Sequence, residues 1–182
     1  MTDDDAPDDT GAPVEIMWQG RFVTAKRQGK WEYVSRSRGI HAAVILALDD
    51  APDGRHVLLA EQYRVPLGRM CLELPAGLVG DDAAGEETAI AAARELEEET
   101  GYRAARWQVA GEFYSSPGMV SESFTLLVAR DLTRVGAGGG VSGENIIVHR
   151  VALAEVADFV AAKRKEGCGI DVRVAMLLVG GW

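Results

Sequence analysis

Residues 80–102 read GDDAAGEETAIAAARELEEETGY, and this stretch constrains the chain more than any other. Successive residues of a helix turn by about 100°, so positions three and four apart share a face. A helix over about residues 86–100 therefore brings Glu95, Glu98 and Glu99 into one arc. Ala89, Ala92, Ala93 and Leu96 form an apolar stripe beside it, and Glu97 points away. Gly101 stands where a helix-terminating glycine belongs. Like charges four apart on a helix cost about 0.2–0.5 kcal/mol each, and only Arg94 borders the arc. A hard divalent cation with a preference for oxygen ligands, such as Mg²⁺, relieves that repulsion. The competing reading is a solvated acidic helix face.

Residues 1–13 are acidic, contain proline and carry little apolar mass, which predicts disorder. Residues 14–36 alternate aromatic and β-branched residues with glycine punctuation and read as short antiparallel strands. Residues 40–48 (IHAAVILAL) form an almost unbroken apolar run, the pattern of a buried strand. Residues 56–65 and 68–74 follow as strands, and Pro75-Ala76-Gly77 reads as a sharp bend before a loop over 78–85. Beyond the helix, residues 107–114, 123–129 and 146–151 are strand candidates. Phe113 and Tyr114 read as core, with base stacking as the other option. His41 and His149 read as satisfied strand side chains. The glycine-rich residues 135–143 predict a mobile loop. Residues 153–165 have helical spacing, and 171–179 form a closing helix capped by Asp171. The order of elements predicts an α/β fold, an α/β/α sandwich around a mixed sheet with a small N-terminal antiparallel sheet.

At 182 residues the chain suits one domain. Its net charge is −9, with Asp3, Asp4, Asp5, Asp8 and Asp9 concentrated in the tail. An acidic chain without a basic patch is a poor partner for nucleic acid. Cys71 and Cys168 have neither metal-site nor disulfide-framework spacing, and Cys71 reads as a buried thiol. No apolar run has the length of a membrane span or the layout of a signal peptide, which predicts a cytoplasmic protein with no membrane partner.

Gly80, Glu86, Arg94-Glu95, Glu98-Glu99 and Gly101 are spaced as in the 23-residue signature of the Nudix hydrolases, and the chain resembles that superfamily. Four further stretches resemble its ADP-ribose pyrophosphatase branch: Gln62-Tyr63-Arg64, Glu73-Leu74-Pro75-Ala76-Gly77, Ser116-Pro117-Gly118, and Glu144-Asn145-Ile146 with Val148-His149. The resemblance implies the Nudix fold over residues 39–182, after a tail (1–13) and N-terminal strands (14–38) that can swap across a homodimer or stay as an edge sheet on their own subunit. It implies a metal set of Glu95, Glu98, Glu99, the Ala76 carbonyl and Glu144, with Mg²⁺ (or Mn²⁺) as cofactor. Arg94 would orient the glutamates. Arg64, Glu73, Gly77, Pro117, Gly118 and Glu122 are the implied substrate-binding residues. For Arg64 a phosphate grip competes with a surface ion pair. Glu73 would hold Arg94 or a ribose hydroxyl, or form a structural salt bridge. Relatives can carry a glutamate two residues before Glu144, where this chain has Ser142. Glu144, Glu98 and Glu122 are therefore the candidates for general base. Gly77 to Glu86 is also longer than the family pattern.

The implied reaction is cleavage of the pyrophosphate bond of a nucleoside diphosphate sugar, ADP-ribose first, to AMP and ribose 5-phosphate. Alternatives are GDP-mannose, another nucleotide sugar or a dinucleotide, and a non-catalytic nucleotide-sensing module.

Overall fold

The computed structural model describes residues 9, 11–37, 41–79, 87–141 and 143–179. Most of the acidic tail, Gly80 and Glu86 of the signature, the loop over 80–86 and Ser142 lie outside the described residues. Val14–Gln19 (β1), Val23–Gln28 (β2) and Trp31–Arg36 (β3) make a three-stranded antiparallel sheet. Then come His41–Ala51 (β4), Gly54–Arg64 (β5), Arg69–Glu73 (β6) and Ala76–Val79 (β7). Helix α1 spans Thr88–Thr100 and is followed by Tyr102–Tyr114 (β8), Ser123–Arg134 (β9) and Ile147–Ala152 (β10). Val156–Lys165 (α2), the short strand Gly169–Ile170 (β11) and Ala175–Val179 (α3) complete the described chain.

Strands β4 to β11 form an eight-stranded mixed sheet, with β11-β6-β5-β4-β9-β8 as its path, β10 on β5 and β7 on β4. The apolar run of β4 exists because both faces of this strand are covered, as is usual for strands at the centre of a layered α/β sheet. Ala43, Ile45 and Ala47 pack with Ala91, Ala92 and Leu96 of α1. Val44, Leu46 and Leu48 face Val156 and Val160 of α2 and Leu177 of α3. One strand thus carries two cores, and the molecule is the expected α/β/α sandwich.

Helix α1 ends at Gly101, whose φ of 75° is left-handed. Its buried stripe is Ala91, Ala92 and Leu96, so Ala89, expected inside, is exposed while Ala91 takes its place. The predicted bend at Pro75-Ala76-Gly77 is corrected: Ala76 and Gly77 open a strand, paired with Val44 and Ala43. Phe113 and Tyr114 are not core residues. They lie exposed on the edge strand β8, where Phe113 stacks on Phe124 with centroids 5.9 Å apart. His149 is satisfied by Glu61 at 2.6 Å, and His41 shares a 3.4 Å hydrogen bond with Thr88. Asp171 caps the closing turn as expected, accepting from the Arg173 backbone N–H. Among the described residues no helix is long and apolar enough to cross a membrane.

Leu96 is fully buried between α1 and β4, so Leu96→Ala should cost about 2–5 kcal/mol through lost burial and a residual cavity. Urea denaturation should show the midpoint falling with an unchanged slope.

Candidate active site

The C-terminal half of α1 lies over β7, and this contact builds the site. Glu99 is only 5% exposed, and its Oε2 accepts a 3.1 Å hydrogen bond from the backbone N–H of Ala76. Burial pushes its pKa up to about 8; the Ala76 N–H lowers it, and the carboxylates of Glu95 and Glu144 raise it further. Glu95 is raised too, chiefly by burial, with Glu98 and Glu144 adding to the rise against the pull of Arg94. All four carboxylates of the predicted set, Glu95, Glu98, Glu99 and Glu144, are thus linked electrostatically.

Gly77 is the reason Glu95 can come so close. The space where a Cβ would stand on Gly77 is filled by the Glu95 carboxyl group. Any larger residue would push that side chain off the strand. Arg94 reaches over the same carboxylates through one nitrogen: Nη1 donates to Glu95 at 2.9 Å and to Glu98 at 3.3 Å. Both bonds end on carboxylates of the expected metal set.

Within the stretch 135–143 expected to be mobile, residues 135–140 are instead pinned to the end of α1. Gly139 N–H donates to the Glu99 carbonyl (2.8 Å) and Gly140 N–H to the Glu98 carbonyl (3.0 Å), while Val135 and Gly136 donate to the Gly101 carbonyl. The last carbonyls of a helix lack intrahelical partners, and this loop satisfies them. Gly138 has φ +70°, and a Cβ there would run into the backbone of Glu99 and Thr100. The chain between α1 and Glu144 is held by a backbone contact that only glycine permits. Glu144 itself turns back on its loop, with Oε2 accepting from Val141 N–H at 2.9 Å.

The implied substrate residues sit in three places. Arg64 is closed in a bidentate pair with Glu73, both bonds 2.7 Å. Glu73 therefore holds Arg64 rather than Arg94. Pro117 and Gly118 line a cavity of about 320 Å³ with Trp31 and Tyr33. Glu122 is ion-paired with Arg36 of β3 and lines a larger cavity, about 500 Å³, with Lys26, Arg36, His41 and Ser123. Sequence reasoning passed over Lys26 and Arg36. Their signal is a cation at alternate positions of strands that flank an acidic site, which becomes visible only once the N-terminal sheet is placed. That placement rests on Val34, whose N–H donates to the Met119 carbonyl at 2.9 Å and whose carbonyl accepts from Ser121 N–H at 3.0 Å.

Buried oxygen donors that raise one another's pKa are the chemistry a hard divalent cation fits. Among the described residues, however, no group of three or more His, Cys, Asp or Glu stands ready to hold a metal ion. Glu98 is turned to Arg94 and Glu144 to Val141, while Glu95 and Glu99 lie against the Gly77 and Ala76 backbone.

Two outcomes are expected. Gly77→Ala should leave the melting temperature within a few degrees and cut activity about 100-fold or more, because the displaced group is one side chain at the reacting end. In chelator-treated protein the folded-state pKa of Glu99 lies above the usual 4.5. The stability it contributes is complete below about pH 4.5 and is lost as pH rises through about 8. Glu99→Gln should flatten that decline in thermal melts taken across the range.

The model of the NUDIX domain family matches residues 39–166. An uncharacterized Nudix hydrolase of Schizosaccharomyces pombe is 30% identical over 172 residues, covering 91% of this chain and 82% of the relative. An ADP-ribose pyrophosphatase of Mycobacterium tuberculosis is 42% identical over 95 residues, 52% of this chain and 44% of that protein. A GDP-mannose pyrophosphatase of Cronobacter sakazakii is 35% identical over 150 residues, 78% of this chain and 72% of that protein. The chain thus spans less than half of the mycobacterial relative and most of the other two. A crystal structure of an ADP compounds hydrolase superposes with a TM-score of 0.66 at 22% identity, covering 91% of this chain and 89% of the other, which bears on the fold. With the family model spanning most of its length and the signature glutamates set on α1 against β7, the chain belongs to the Nudix hydrolase family.

Proposed function

We propose that this chain hydrolyses the pyrophosphate bond of a nucleoside diphosphate sugar, with ADP-ribose as the first substrate and AMP and ribose 5-phosphate as products. The observation that carries this reading is the pair of carboxylates, half-buried Glu95 and buried Glu99, set against the Gly77 and Ala76 backbone and each affecting the other electrostatically. Mg²⁺, or Mn²⁺ in its place, would be held by Glu95, Glu98, Glu99, the Ala76 carbonyl and Glu144. When bound, it supplies charge neutralisation at the pyrophosphate oxygens and acidifies water.

The chain's own residues do the rest. Arg94 keeps Glu95 and Glu98 aimed by a shared nitrogen. Arg64, on the rim and within Coulomb reach of Glu99, grips a phosphate with the part of its guanidinium turned from Glu73. The cavities beneath the N-terminal sheet take the nucleoside and sugar. Of the three candidates for general base, Glu122 is committed to Arg36 and Glu98 to Arg94. Glu144 acts on Glu95 and Glu99, and among the described residues its carboxylate accepts from the Val141 backbone N–H and makes no ion pair. It is therefore the base we favour. The GDP-mannose pyrophosphatase relative supports a second substrate, GDP-mannose.

The active unit is proposed as a homodimer. Strand β1 is exposed along its whole length, with Ile16 at 62% and Trp18 at 59% exposure, an apolar face that a second copy would cover.

Product analysis with Mg²⁺ on ADP-ribose, GDP-mannose and a dinucleotide should rank ADP-ribose first by kcat/KM. Glu99→Gln should lose several orders of magnitude in kcat, and chelation should abolish turnover. Near-normal activity in Glu99→Gln would end the metal reading. Arg94→Ala should lose about 10- to 100-fold, the usual cost of removing a group that orients metal ligands.

A further inference from the structure

We infer that Arg173, in the turn before α3, is a positioning residue for Arg64, acting through the buried carboxylate of Glu73. The inference rests on the proposed role of Arg64 at a phosphate. Glu73 ends β6 with its side chain only 4% exposed. A carboxylate so far from water is costly unless it is paired and hydrogen-bonded. Arg64 supplies the first partner, binding Oε1 through Nε and Oε2 through Nη2, and its own side chain is 42% exposed. Arg173 comes from the other side, with Nη2 3.8 Å from Glu73 Oε2.

Arg173 is itself held on three sides. Asp171 accepts from its Nε at 2.6 Å and its Nη2 at 2.7 Å. Its guanidinium lies over the Phe124 ring, 5.7 Å from the centroid. The turn is fastened to β6 by the Asp171 N–H, which donates to the Leu72 carbonyl at 3.0 Å, one residue from Glu73. Asp171, Arg173, Glu73 and Arg64 form a row of alternating charge from the C-terminal turn to the site.

The row has a consequence for Arg64. With Glu73 shared between two guanidiniums, Arg64 is not fully neutralised by its own partner, and the like charge of Arg173 behind Oε2 favours an outward-facing Arg64. Arg64 is the nearer of the two cations to Oε2, at 2.7 Å against 3.8 Å for Arg173. Remove Arg173 and, among the described residues, Glu73 keeps Arg64 as its one ion-pair partner, so the carboxylate neutralises Arg64 more completely and the positive potential offered to a phosphate falls. The effect belongs to substrate binding more than to the chemical step.

A double-mutant cycle tests this by steady-state kinetics on ADP-ribose with Mg²⁺. Arg173→Met should raise KM about fivefold or more while kcat moves by about twofold or less. Arg64→Ala should raise KM as well, and adding Arg173→Met to it should bring no further rise. Arg173→Gln keeps a donor for Asp171, removes the charge, and should show the same coupling; it serves where Arg173→Met does not fold. Arg173→Lys should recover KM to within about twofold of wild type. Equal rises in KM in both Arg64 backgrounds, or an unchanged KM without Arg173, would overturn the inference. ADP binding to the same proteins by calorimetry reads the coupling without turnover. Wild-type protein that binds ADP but cleaves nothing would sink the proposed activity alone, and wild-type protein that binds no ADP would sink both.

Discussion

The burial of Glu99 under the first residues of β7 is the constraint on which the rest of the site depends. A charged carboxylate in that position is held by one backbone N–H and opposed by two neighbouring carboxylates. Left to itself, this arrangement favours the protonated acid. It persists because the flanks of the helix are already fixed: Ala92 and Leu96 are fully buried against β4, so the helix cannot turn its acidic arc to solvent without emptying that core. Packing on one side of α1 therefore stores the electrostatic cost on the other, which is how a protein keeps a site poised for a cation. Gly77 sharpens the effect by letting Glu95 lie on the strand backbone where any side chain would hold it off.

The end of the same helix solves a second problem. Its last carbonyls need partners, and the glycine-rich segment after β9 supplies them. That segment leads directly to Glu144. The segment is tied by backbone hydrogen bonds to the helix carrying the other acidic groups. Glu144 is thus referenced to Glu98 and Glu99 through backbone hydrogen bonds at Gly139 and Gly140.

Much of this was legible in the residues. The helix, its terminating glycine, the three glutamates on one arc and the doubly covered β4 all follow from periodicity, because each is set by neighbours within a few positions. What escaped is non-local. Pro75-Ala76-Gly77 has turn composition, but Ala76 and Gly77 gain strand pairing with Val44 and Ala43, and tertiary pairing overrides local preference. Phe113 and Tyr114 look like core by type, yet β8 is the sheet edge. The glycines of 136–140 look mobile in isolation, and only the position of α1 explains why glycine is needed there. The ion pair Arg64–Glu73 joins β5 to β6, and Arg36–Glu122 joins β3 to the residue before β9, 86 positions away in the chain. No spacing rule could have paired them.

Where the substrate is chosen follows from this division. The acidic arc of α1 carries carboxylates, which under the proposed reading would reach the pyrophosphate only through a bound cation, and every nucleoside diphosphate derivative presents the same oxygens to that cation, so the helix cannot by itself tell adenine from guanine or ribose from mannose. Discrimination has to come from surfaces that reach beyond the pyrophosphate. The described residues offer such surfaces where β3 meets residues 116–122: Trp31, Tyr33, Pro117 and Gly118 on one cavity, Lys26, Arg36 and Glu122 on the other. Both walls depend on the N-terminal sheet. Among the described residues that sheet meets the core through two backbone hydrogen bonds at Val34 and an ion pair, with β1 exposed on its far side. In the proposed dimer a second copy covering β1 would rigidify the cavity walls as well as bury apolar surface. Specificity and assembly would then be coupled, and a change that weakened the β1 face would be felt at the nucleoside before it was felt at the glutamates.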